Sequence, residues 1–210
     1  MPHDTFVLRS TLTSPFGRKV RMAIDVLGLT QRITVVPADT LDETDSLRQQ
    51  NPLGKLPCLL LAGGTVLYDS AVIIEFLQEL AGSEALLPLH GIKRYKILTL
   101  ATLADGITDA ALLMVYESRF RDPATHSPRW LMHQRGKIAR ALAHFESAPP
   151  DPRKTDIVTI ALACAFGYLD WRKPVEWRPD HPRLVQWLEA FTAHEPAYAR
   201  TRAPAPTANP

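Results

Sequence analysis

Three short stretches of this chain place polar groups where a folded backbone exposes hydrogen-bonding or charged ends. The first is Thr13-Ser14-Pro15, two hydroxyls directly before a proline suited to the first turn of a helix. The second is Lys55-Leu56-Pro57. An X-Pro bond is the one place where a cis peptide is tolerated, and a proline opening a strand brings no N–H, so the main chain of Leu56 can turn outward for an extended peptide to pair with. The third is Asp69-Ser70, standing where a strand pattern gives way to the helical run AVIIEFLQEL. It supplies a helix N-cap and free N–H groups, which together favour an anion such as a carboxylate.

The elements that hold these stretches follow from periodicity. Pro57 opens an apolar run, Cys58 to Leu61, too short for a helix and followed by Gly63-Gly64, which predicts a strand, a two-residue turn and a return over Val66 to Tyr68. Upstream, TFVLRS reads as a strand, Pro15 to Gly28 as a helix, RITVVP as a strand, and Asp42 to Gln50 as a polar stretch. The order is βαβ followed by ββα. A right-handed crossover, then a hairpin and a helix, gives a four-stranded sheet with helices on its faces, the thioredoxin-like arrangement. GSEALLPLHG, residues 82–91, carries no period and reads as a linker.

From Ile92 the signals are helical. Ile97, Leu100, Ala101, Ala104, Ile107, Ala111 and Met114 form the stripe of a long amphipathic helix ending near Asp122-Pro123. A second helix starts at Pro128 and must stop at Pro149-Pro150. DIVTIALACAFGYLDW is apolar almost all round and predicts a buried central helix with Asp156 as its cap. A last helix covers His181 to His194, and the Pro- and Ala-rich end cannot build a core. The expected domains are 1–81, thioredoxin-like; 82–91, linker; 92–200, all-helical; and 201–210, a flexible tail.

Composition excludes several classes. With 46% hydrophobic and 22% charged residues and a formal charge of +2, the chain reads as an ordinary globular protein without strong attraction to nucleic acid or membranes. No run approaches the ~20 apolar residues of a membrane span, and MPHDTFVLRS lacks a signal-peptide core, so a cytoplasmic location is expected. Cys58 and Cys164 lie in apolar surroundings without CxxC spacing and read as buried thiols. The histidines of the helical part have no acid at ligand spacing, and no metal is assigned.

With SPFGRK, NPLGKLPCL, YDSAVIIEFL and IALACAFGYL in this order, the chain resembles a cytosolic glutathione transferase over nearly its whole length, in the bacterial theta, omega and beta neighbourhood that puts Ser or Cys at the start of the first helix. The resemblance implies an α/β thioredoxin-like N-terminal domain plus an all-α C-terminal domain, a homodimer, glutathione as co-substrate and no permanently bound cofactor. The second partner would be a small hydrophobic electrophile or a peroxide. Ser14 then holds the catalytic position: a hydroxyl at the positive end of a helix favours ionisation of a bound thiol relative to free cysteine at pKa ~8.5. Ser14 as a plain cap and Thr13 as the donor remain the alternatives. Leu56 would meet the cysteinyl backbone as an added strand, and Lys55 would pair with the glycine carboxylate or stay a solvated charge. Asp69 and Ser70 match the pair that holds the γ-glutamyl end. Arg18 is structural or reaches into the glutathione pocket, and Tyr116 is the candidate for the second-substrate pocket.

One departure stands out. The family's central helix usually begins with Ser or Thr as cap and Asp at the third helical position, whereas here Asp156 is the cap and Thr159 stands third, so half of the capping box is expected to be lost. A non-catalytic glutathione-binding protein of the same fold is the alternative function, and thiol transfer through Cys58 is disfavoured because Ser14 occupies the nucleophile position.

Overall fold

Phe6–Arg9 (β1), Ile33–Val36 (β2), Cys58–Leu60 (β3) and Val66–Leu67 (β4) form one mixed sheet in the order β2-β1-β3-β4. The computed structural model describes residues 5–204. β1 and β2 run parallel, as a crossover through Pro15–Val26 (α1) requires, while β3 runs antiparallel to both β1 and β4. The register decides which strand ends meet. Arg9, the last residue of β1, lies opposite Cys58, the first of β3, and Leu67, the last of β4, lies opposite Leu59. The exit of β1, the entry of β3 and the exit of β4 therefore share one end of the sheet.

The turn between β3 and β4 is longer than the sequence predicts. Leu61 donates its N–H to the carbonyl of Thr65 at 2.8 Å and accepts from Gly64 at 3.2 Å, so three residues, Ala62 to Gly64, make the bend. Gly63 and Gly64 carry φ of 85° and 88°, values that a side chain would strain. The polar stretch before β3 contains a single helical turn, Leu47–Gln50 (α2), pinned by the buried Leu47 side chain. Ser70–Leu80 (α3) follows β4 and packs against α1. Leu8, Val20, Leu59, Ile73 and Leu77 are fully buried and form the centre of this unit.

The chain divides into two compact units, residues up to Leu89 with Ala197–Pro204, and His90–Pro196. Two of the expected boundaries shift. The stretch 82–89, expected as a linker, is fastened to the first unit by Gln78, whose Oε1 accepts from the N–H groups of Leu86 and Leu87 and whose Nε2 donates to the Leu87 carbonyl. Ala197–Arg200 (α8) and the residues after it belong to the first unit rather than to the helical one. Arg18 explains this: buried on α1, it donates to the Tyr198 carbonyl at 2.8 Å and lies 4.0 Å over the Tyr198 ring, while Arg200 pairs with Asp25. Thr201 is likewise buried, so the expected flexible tail does not begin there; positions 205–210 of it lie outside the described residues.

The helical unit consists of Gly91–Phe120 (α4), Pro128–Ser147 (α5), Ile157–Arg172 (α6) and Pro182–His194 (α7). Every residue of α6 from Ile157 to Phe166 is buried, as its all-round apolar pattern demands. Its start corrects the expectation of a half-lost capping box. Asp156 Oδ1 accepts from the N–H groups of Val158 and Thr159, and Thr159 Oγ1 accepts from the Asp156 N–H at 2.9 Å. Threonine is long enough to close the box in the absence of an acid.

α4 also departs from expectation, being long and apolar enough by length and composition to cross a membrane, with a mean hydropathy of 1.5 over its best window. Its apolar residues are spaced as a stripe rather than as a run. Of the expected stripe Ile97, Ala101, Ala104, Ile107, Ala111 and Met114 are buried and Leu100 is half-buried, and α4 packs along α5 and α6, which is the use a protein core makes of such hydropathy.

Candidate functional site

Ser14 is the N-cap of α1, with an extended backbone and an Oγ that accepts from the Gly17 N–H at 3.0 Å. Pro15 follows as the first helical residue, where its missing N–H costs nothing. Gly17 leaves room for two hydroxyls: a Cβ there would lie 2.2 Å from Ser10 Oγ and 3.2 Å from Ser14 Oγ, so any side chain would displace the Ser10 hydroxyl and crowd the cap. Ser14 is half-buried and Thr13 exposed, and the Thr13 hydroxyl lies 3.2 Å from that of Thr11. A serine hydroxyl that accepts one cap bond still has its own proton to donate.

The Leu56-Pro57 peptide is cis. Pro57 is buried, Leu56 half-buried and Lys55 exposed. Asp69 caps α3, its Oδ1 accepting from the Ala71 N–H at 3.0 Å, and Ser70 follows as the first helical residue, 3% exposed. By the strand register, the Ser14 segment after β1, the Leu56-Pro57 entry to β3 and the Asp69-Ser70 exit from β4 stand at the same end of the sheet. Two helix starts, each with unsatisfied N–H groups, thus share one end with a strand entry.

Not all the sequence-derived residues meet there. Arg18 is spent on the Tyr198 carbonyl and ring, a structural anchor. Tyr116 belongs to the helical unit, half-buried on α4 and edge-on to Phe120 at 5.2 Å between ring centroids. In the same unit, burial pushes the Tyr168 phenol up to about 12 against the pull of Arg172. Cys58 is fully buried, and desolvation raises its thiol above the ordinary value while Arg9 opposes the shift. Such a thiol is a poor nucleophile.

Two residues that motif reading passed over organise the site from below. Asn51, 1% exposed, donates from Nδ2 to the Lys55 carbonyl at 2.8 Å and accepts at Oδ1 from the Leu53 N–H at 3.0 Å. Arg9, 7% exposed, donates to Ser46, Gln50, the Pro37 carbonyl and Asp45. Main-chain N–H groups of Asp39 and Leu47, and then Arg9, hold the Asp45 carboxyl below the usual range. The signal for Asn51 was its position before a Pro-x-Gly turn; a buried arginine in a strand leaves no comparable trace.

A family model described as the N-terminal domain of glutathione S-transferase matches residues 13–80, the stretch that carries both helix starts and the strand entry. The chain is 36% identical over 203 residues to the uncharacterized GST-like protein YibF of Escherichia coli (strain K12), covering 94% of this chain and 98% of the relative. Among solved structures it is similar to a glutathione transferase family member from Pseudomonas fluorescens Pf-5 with bound glutathione, with a TM-score of 0.89 and 40% identity over 96% of this chain and 100% of that one. A glutathione S-transferase of Methylobacterium radiotolerans in complex with glutathione sulfonate matches with a TM-score of 0.85 and 32% identity over 98% of both chains. Sequence identity at this coverage and the agreement of both units with those folds show that the chain belongs to the glutathione S-transferase family.

Proposed function

We propose that this protein binds glutathione across the shared end of its sheet and activates the thiol at the start of α1 for attack on a small electrophile or peroxide. The observation that carries the reading is the register that brings the α1 start, the cis-Pro strand entry and the α3 start to one end of one sheet. Each part has a chemical task. The main chain of Leu56 pairs with the cysteinyl residue as an added strand. Ser70 and the α3 N-terminus take the γ-glutamyl carboxylate, while the Asp69 carboxylate faces the ammonium. Lys55 meets the glycine carboxylate. The Ser14 hydroxyl donates to the sulfur, and thiolate formation beside the positive end of α1 makes glutathione the nucleophile.

The second substrate is assigned to the helical unit, with Tyr116 as a contact. Ile92 and Tyr95, 72% and 63% exposed on the first turns of α4, support a homodimer that covers them. We place the protein in the cytoplasm. One observation favours the second reading, a glutathione-binding protein without turnover: Ser14 Oγ already serves as a cap, accepting from the Gly17 N–H. Calorimetric titration with glutathione, paired with turnover on a panel of aryl halides, enones and hydroperoxides, separates the two. Binding with turnover is expected. Binding without turnover leaves the carrier, and absence of binding removes both.

A further inference from the structure

The five residues before Pro57 fold back on one buried side chain. Asn51 donates its main-chain N–H to the Leu47 carbonyl at 2.7 Å, accepts from the Gly54 N–H at 2.8 Å, and uses both ends of its amide on Leu53 and Lys55. The orientation of that amide is fixed, because one end faces an N–H and the other a carbonyl. We propose that Asn51 is the positioning residue for the cysteinyl segment of glutathione: by gripping the Lys55 carbonyl it sets the direction in which Leu56 presents its main chain. The inference rests on the glutathione reading and adds to it a residue that does not touch the ligand.

The grip is anchored at its far side. Arg9 Nη1 donates to Ser46 Oγ and Gln50 Oε1, both at 2.9 Å, and Nη2 donates to Asp45 Oδ1 at 2.7 Å, so the residues that lead into Asn51 hang from β1. The same Arg9 is the register partner of Cys58. The path therefore closes: from Arg9 through its guanidinium to α2, Asn51 and Lys55, and from Arg9 through the sheet to Cys58. Leu56 and Pro57 are the two residues between the anchored ends. Leu47, packed with Ala38 and Cys58, holds α2 down by an apolar contact that does not depend on Asn51. A change at Asn51 is thus expected to free the Lys55 carbonyl while α2 stays in place.

Both bonds need a donor and an acceptor on one short side chain. Aspartate keeps the acceptor for Leu53 but turns an oxygen on the Lys55 carbonyl, and serine is too short to reach it. Calorimetric titration with glutathione of the wild type, Asn51→Asp and Asn51→Ser tests this, because the dissociation constant reads the site and the stoichiometry reads the folded fraction. Ordering the freed residue again on binding predicts a dissociation constant raised about tenfold in both variants with stoichiometry unchanged. An unchanged dissociation constant, with or without a fall in stoichiometry, assigns Asn51 a structural role and overturns the inference. No binding by the wild type overturns instead the glutathione reading on which it rests.

Discussion

The starts of α1 and α3 stand at the same end of the same sheet, yet their caps differ in kind. α1 is capped by a neutral hydroxyl, Ser14, whose acceptor lone pair is used on Gly17 and whose proton remains available. α3 is capped by a carboxylate, Asp69, an acceptor only, with the buried Ser70 directly behind it. The first is suited to stabilising a negative charge that forms during a reaction. The second suits a zwitterionic end group that is already charged, its ammonium toward Asp69 and its carboxylate toward Ser70. The start of α6 is the contrasting case: its box is closed by Asp156 and Thr159 and buried, and the second Asp156 oxygen is held by Lys154, so its polar groups are already bonded within the protein.

The largest effect is expected at α1. If the Ser14 hydroxyl holds the thiolate as proposed, Ser14→Ala removes one donor from it, which typically costs ~100-fold or more in rate. Turnover should fall by that order while the glutathione dissociation constant stays within about twofold, because Leu56 and Ser70 are untouched. The bound thiol, followed by ultraviolet absorbance, should ionise at higher pH. Ser14→Cys places a thiol at a helix start and should form a mixed disulfide with oxidised glutathione, seen by mass spectrometry. Full activity in Ser14→Ala with loss in Thr13→Ala would move the donor one residue back, and full activity in both would leave Ser14 as a cap.

At α3 the effect should appear in binding instead. On the proposed reading Asp69→Ala and Ser70→Ala each remove a contact to a charged end group, about 1.5 kcal/mol or more, so affinity for glutathione should drop ~10-fold or more with unaltered circular dichroism. Equal affinity in both variants would undo the assignment of this helix start. The comparison sharpens if the two sites separate cleanly, Ser14 changing turnover and Ser70 changing affinity.

Much of this contrast was legible in the sequence because caps are local. Ser before Pro and Asp-Ser after a strand name their helix starts within three residues, and the spacing of Pro57, Gly63-Gly64 and Ser70 marks the hairpin and helix in order. What the chain did not show are bonds between residues far apart in sequence. Arg9 reaches Asp45 and Gln50, and Arg18 reaches Tyr198 across 180 positions, so neither the anchored α2 nor the return of Ala197–Pro204 to the first unit has a local signature. Asn51 lies between these cases, in a recognisable turn whose partner, the Lys55 carbonyl, only the fold reveals.

Acid should loosen the support of the strand entry before the sheet itself. Asp45, held low by the N–H groups of Asp39 and Leu47 and by Arg9, and Asp42, held low by the Thr44 hydroxyl and N–H, both have carboxyls depressed from 3.8. A depressed carboxyl adds stability above its unfolded value and loses it as pH falls through the folded one, so the contribution is complete at neutral pH and fades below about pH 4. Hydrogen exchange should then show the amides of Asp39, Thr44 and Leu47 losing protection below that pH while the β1–β3 amides keep theirs. Uniform protection down to about pH 3 would mean that these carboxylates do not hold the segment.

The smallest effect is expected at the closed helix start, and it belongs to stability alone. Asp156→Ala removes the acceptor for Val158 and Thr159 and the partner of Lys154, and Thr159→Val removes the acceptor for the Asp156 N–H, each costing about 1 kcal/mol. For a chain of this size that is a fall in Tm of roughly 2–4 °C. Because each side chain bonds the other's main-chain N–H, which both substitutions keep, the double variant should lose close to the sum of the two. Glutathione affinity and turnover should not change in any of the three variants, since the polar groups of this start are bonded to one another and to Lys154. A double-variant loss well below the sum would show that the two bonds depend on each other, and a change in glutathione affinity would erase the division between closed and open helix starts.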